Sequence, residues 1–138
     1  MGYTKDHTFI MLSIFKRSPV YIKLFKNRVE MINLETGETI SRESVQPFSS
    51  QRLVIADFNK ADALIRSILN DLLPKKGIFP RQTKILIQQV VSVEGGLSEI
   101  EKRALRDLGE MAGGTRVILV DHFRQLDISE ANLALEKK

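Results

Sequence analysis

Hydrophobic and polar positions change period several times along the chain, and each change predicts an element. Val20–Phe25 and Arg28–Leu34 are rich in β-formers, with Lys26-Asn27 between them as a tight turn in which Asn tolerates a positive φ. Thr36-Gly37 is a second turn signal, and Glu38–Val45 reads as a third strand, completing a meander. After a loop marked by Pro47, Ser49 and Ser50, the run Leu53-Val54-Ile55 leads to Asp57. Asn59 is then placed to cap a helix, with Asp62 in its first turn. Ala61, Leu64, Ile65, Ile68, Leu69 and Leu72 recur at helical spacing and predict an amphipathic helix over 60–73, stopped by Pro74.

The second half alternates. Lys84–Val93 is nearly continuous and β-branched, as in a strand covered on both faces. Ser98-Glu99-Ile100-Glu101 is a capping box opening a helix to about Met111, with Ile100, Ala104, Leu105 and Leu108 as its apolar stripe. Gly113-Gly114 ends that helix. Arg116–Asp121 reads as another buried strand, and Ser129 as the cap of a short last helix. The order β-β-β-α-β-α-β-α predicts an α/β fold with a mixed sheet and helices on both faces.

The segment Phe9–Phe15 supports three readings: a strand or buried segment, an interfacial anchor, and disorder. As an anchor, its apolar residues followed by Lys16 and Arg17 suit an anionic membrane surface. Pro19 separates it from the body, giving an N-terminal extension over 1–18 and a single domain over 19–138. Met11 is an alternative start. The apolar run is shorter than the roughly 18 residues of a spanning helix, and no small-residue cleavage site follows it.

Composition narrows the chemistry. The chain has 138 residues and no cysteine, which excludes disulfides, thiolate metal sites and a cysteine nucleophile. Its two histidines, His7 and His122, are too far apart for a His-rich metal motif. The net charge of +4 permits contact with an anionic partner without requiring it. Lys16, Arg17, Lys23, Lys26 and Arg28 form a basic cluster interleaved with Phe15, Tyr21 and Phe25, but no RNA-recognition pattern accompanies it, so no nucleic-acid partner is expected.

Several stretches resemble the bacterial actin MreB family. Met11–Arg17 is similar to the start of such chains. Val54-Ile55-Ala56-Asp57-Phe58 is similar to the family's Val-Ile-Ala-Asp-Phe, and Glu99–Ala104 matches its Glu-x-Glu-Lys-Arg-Ala helix. The resemblance implies a ribonuclease-H-like, actin-like fold reduced to a first subdomain. In the family the first strand runs into Asp-Leu-Gly-Thr, whose Asp organises magnesium and whose Gly admits the phosphates. Here the stretch is Lys23-Leu24-Phe25-Lys26. Lysine offers no oxygen ligand to a hard cation, and Phe25 adds bulk where backbone should approach phosphate. The family's Glu-Glu-Pro corresponds to Asp121-His122-Phe123, with His122 at the base position.

The resulting expectation is a non-catalytic MreB-like binding module, cytoplasmic or peripheral to the membrane, with no cofactor, no metal and no catalytic residue. Its expected partner is a protein: an actin-like filament protein or another copy of the chain. Two alternatives stand beside it. A metal-dependent ribonuclease-H-like enzyme would draw on Asp57, Glu94, Asp121 and Glu30. A residual nucleotide-binding domain would draw on Glu94-Gly95-Gly96 and Gly113-Gly114, although turn and helix-cap chemistry explains both glycine pairs.

Overall fold

The computed structural model of the chain describes residues 18–73 and 83–137. The expected membrane-proximal segment 9–17 and the expected helix stop at Pro74 lie outside them. The elements are β1 (Val20–Phe25), β2 (Arg28–Asn33), β3 (Thr39–Glu43), α1 (Phe58–Leu72), β4 (Lys84–Gln89), α2 (Glu99–Met111), β5 (Arg116–Leu119) and α3 (Ile128–Glu136). Their order is the one the hydrophobic pattern predicts. They build a sheet ordered β3-β2-β1-β4-β5, antiparallel through the meander and parallel from β1 to β4 to β5.

Strand alternation sorts side chains to two faces. Val20, Ile22, Leu24, Ile85 and Ile87 pack with Ile65, Ile68, Leu105 and Leu108 of α1 and α2 in one apolar cluster. Tyr21, Ile32 and Leu86 pack with Ala131 and Leu135 of α3 in a second. Among the described residues, helices therefore cover both faces, two on one side and one on the other.

Turn chemistry sets the meander. Asn27 adopts a left-handed φ of 56°, and β1 and β2 pair with Phe25 opposite Arg28. The Asn27 side-chain oxygen accepts from the Phe48 and Ser49 amides at 2.9 and 2.8 Å, and its carbonyl accepts from the Ser44 amide at 2.8 Å. One turn residue thus ties down the loop leading to α1. At the second turn, Asn33 accepts from the Glu35 and Thr36 amides at 2.9 and 3.1 Å, an Asx turn, and Gly37 takes a φ of 81°.

The structure corrects several local expectations. Asp57, rather than Asn59, caps α1, accepting from the Lys60 amide at 3.1 Å. Asp62 consequently falls beyond the first turn and pairs with Arg66 one turn on, at 3.0 Å. Asp127, rather than Ser129, caps α3, because Asp127 and Glu130 have the spacing of a capping box and satisfy each other's backbone amides. The capping box at Ser98 and Glu101 forms as expected. Ile100, however, is 83% exposed. It precedes Leu105 by five positions, about 140° round a helix advancing about 100° per residue, so it faces away from the buried stripe. The Arg116–Asp121 run yields an edge strand of which every residue is only partly buried; β4, its neighbour, is covered on both faces, as is β1.

Candidate functional site

Lys23, Phe25 and His122, singled out in the sequence, lie toward the carboxyl ends of β1 and β4. Lys23 stands opposite Glu30 on β2 and opposite Gln88 on β4. Only 6% exposed, it donates to Glu30 Oε1 at 3.1 Å and to Gln125 Oε1 at 2.9 Å. Its ammonium also lies 5.1 Å from the centre of the Tyr21 ring, within cation–π range. Glu30 is shared with Arg28 at 3.6 Å, and the Arg28 guanidinium stacks 3.8 Å from the ring centre of Phe25. The position at which the resemblance implies a magnesium-organising acid thus carries a cation held by a carboxylate, an amide and an aromatic face.

A second set of bonds anchors the segment after β5. Tyr21 donates its hydroxyl proton to Gln88 Oε1 and accepts from the Leu126 amide at 3.1 Å. The Gln88 amide group donates to the carbonyls of His122 and Arg124 at 2.9 and 2.8 Å. Burial pushes the Tyr21 phenol up, partly offset by the Leu126 amide, and so keeps it protonated as a donor. His122 uses Nδ1 to accept from the Arg124 amide at 3.2 Å. Its carbonyl is therefore held by the Gln88 side chain and its ring by the Arg124 backbone amide. Phe123 packs against the apolar cluster under α1 and α2.

The four carboxylates considered for metal chemistry do not gather. Asp57 caps α1, and Glu30 is bound by Lys23 and Arg28. Asp121 pairs with Lys102 at 3.0 Å, and this bond, with the charge of Asp121, raises the Lys102 ammonium above its ordinary value. Glu94 is exposed beside the turn in which Gly95 and Gly96 adopt φ values of 79° and 80°. Among the described residues no group of three or more Asp, Glu or His side chains is assembled for a metal. No described helix is long and apolar enough to cross a membrane.

Sequence reasoning missed Gln88 and Gln125, and with them the network around Tyr21. A glutamine pair, Gln88-Gln89, interrupting a β-branched run was the available signal, since buried amides need partners. It also missed an open groove of about 680 Å³ between β5 and α3. The groove is walled by Ile118, Val120, Leu126, Leu133 and Ala134, with Arg124 and Glu130 paired at 2.9 Å on its rim.

No family model matches the chain. Its fold is similar to that of MreB5 of Spiroplasma citri in crystal structures bound to ADP and to AMPPNP. The TM-scores are 0.48 and 0.46 and the identities 16% and 15%; each match covers 76% of this chain and 38% of that one. The chain thus spans well under half the length of those structures. In sequence it is similar to the uncharacterized protein YjaA of Escherichia coli (strain K12), with 30% identity over 122 residues, 86% of this chain and 90% of that protein. At that identity and coverage, the chain belongs to the YjaA family.

Proposed function

We propose that this chain is a non-catalytic, MreB-like module of ribonuclease-H-like fold that has lost its ATPase site and acts through contacts with another protein. The observation that carries the reading is Lys23. In the resembling family this position belongs to an acid that organises magnesium. Here it is a buried ammonium already bound to Glu30 and Gln125. A metal–phosphate group placed there would meet a side chain that cannot ligate the metal, and binding would have to break an ion pair with little water to replace it. Phe25, stacked under Arg28, stands where the resembling family has the glycine that admits phosphate. His122, at the position of the family's water-orienting acid, accepts from the Arg124 amide, and Asp121 beside it is engaged with Lys102. The partner suggested by the resemblance is an actin-like filament protein.

Thermal unfolding with increasing ATP and magnesium tests this reading. A ligand at 100 times its Kd stabilises the state it binds by about 2.7 kcal/mol, a shift of several degrees for a domain of this size. The expected result is a flat Tm into the millimolar range, and no divalent-dependent hydrolysis. A saturating rise in Tm, or a hydrolysis rate abolished by Asp121→Asn, would replace the reading with a nucleotide-binding or enzymatic one.

A further inference from the structure

We infer that the β5 edge and the groove beside α3 form a docking site for an extended, acidic peptide segment with alternate apolar residues, which adds to the sheet as a sixth strand. The inference rests on the binding-module reading and names its surface.

Three observations converge. The first is backbone. The Arg116 and Val120 amides donate toward β4, to the carbonyls of Thr83, just before the strand, and of Ile87 within it, at 3.5 and 2.9 Å. By the two-residue alternation of a parallel ladder, Val117 and Leu119 turn their N–H and C=O groups to the outer side. Among the described residues no strand pairs with that side. A row of free donors and acceptors is a template for strand addition.

The second is apolar surface. α3 packs against β4, so Ile118 is only partly covered where the groove begins. Leu133, on the opposite wall, is 58% exposed. An incoming strand would seat every second side chain between these walls.

The third is charge. Asp121 and Glu130 in the lining are neutralised by Lys102 and Arg124. Arg116 and Lys137 have no carboxylate within ion-pair distance among the described residues, and Arg116 is held in place by donating to the Lys137 carbonyl. The excess charge of the groove is therefore positive, which selects carboxylates among otherwise similar strands. The opposite edge, β3, lacks this combination. Its Thr39, Ser41 and Glu43 are exposed polar residues, and Arg42 is engaged by Asp71 at 2.7 Å.

The test uses the full chain and a short acetylated peptide of alternating valine and glutamate, with a valine–lysine peptide as control. Binding is followed by NMR titration and amide hydrogen exchange. The expected result is saturable binding of the glutamate peptide alone, weakened by added salt, with slowed exchange at Val117 and Leu119. The double variant Arg116→Glu, Lys137→Glu should weaken it by roughly tenfold or more. Leu133→Glu, at an exposed position, should do the same without disturbing the fold. Equal binding of the two peptides, an unchanged affinity in both variants, or unprotected Val117 and Leu119 amides would overturn the site. Protection of those amides by concentration-dependent dimerisation without peptide would assign the edge to a second copy instead, and overturn the acidic occupant. A failed peptide titration alongside a flat ATP titration removes the groove alone; stabilisation by ATP removes the module reading itself.

Discussion

The two faces of the sheet hold their helices by different physics. Toward α1 and α2 the strands present Val20, Ile22, Leu24, Ile85 and Ile87, and the helices answer with Ile65, Ile68, Leu105 and Leu108. Burial of this kind is non-directional, and its strength follows the area removed from water. Toward α3 the apolar cluster is smaller, and the space near the strand ends is filled by Tyr21, Lys23 and Gln88. Their bonds to Leu126, Gln125, His122 and Arg124 are directional. One face offers the larger apolar cluster; the other fixes where a particular stretch of backbone runs. Because the groove wall is built on that stretch, the polar face is also the one that shapes the proposed docking site.

The sharpest way to break this contrast is to remove matched leucines. Leu105→Ala on the apolar face should cost about 2–5 kcal/mol, the usual range for a buried leucine in a cavity that cannot collapse. Leu135→Ala in the last turns of α3 should fall at or below the lower end, because a short, nine-residue helix can settle inward. Urea unfolding of both variants decides it; equal losses would mean that the two faces contribute alike.

A smaller effect is expected from Tyr21→Phe. The change keeps the ring and deletes one oxygen, leaving the Leu126 amide and the Gln88 side chain each short of a partner. The expected cost is about 1–3 kcal/mol, with faster exchange of the Leu126 amide and little change at α1. Uniformly faster exchange over both faces would show that the network supports the whole fold rather than the segment after β5.

The mildest expected effect concerns pH. Glu130 is held below the ordinary carboxyl range, first by the Arg124 guanidinium and then by the Asp127 amide. A carboxyl whose folded pKa is depressed contributes stability that is fully present above its unfolded value, about 4.3, and is lost as pH falls through the folded value. The difference in urea midpoint between wild type and Glu130→Gln should therefore be present at neutral pH and shrink toward zero in acid. A difference that persists undiminished in acid would assign Glu130 a role in packing rather than charge. The raised values of Arg124 and Lys102 act at the alkaline end and leave this window untouched.

How much of this could be read in advance depended on sequence distance. The element order followed from short-range periodicity. The pairing of Lys23 with Glu30 is just as local, since a two-residue turn at Lys26-Asn27 places them opposite each other, but it was not among the sequence expectations. The caps at Asp57 and Asp127 were each displaced by two residues toward a competing Asn or Ser, since several short polar side chains stood near each helix start. Tyr21 meets Gln88 and Leu126 across 67 and 105 positions, and no local pattern announces such contacts. The groove escaped for a related reason: Val-Ile-Leu-Val reads the same at a sheet edge as in its interior, and only the strand order shows that nothing described lies beyond β5.

Asn27 has a practical consequence. Its backbone carbonyl holds the Ser44 amide and its side chain holds the Phe48 amide, so both ends of the excursion through Val45, Gln46 and Pro47 are fastened to one residue. Val45 is fully exposed at the tip, and the core begins again only at Phe48. Lengthening a loop whose ends are already clamped together costs little, about 0.6 kcal/mol for each doubling. The tip at Val45–Gln46 is accordingly a splice point, where a reporter domain or an affinity epitope can be carried within the chain while both termini and the β5 edge remain as they are.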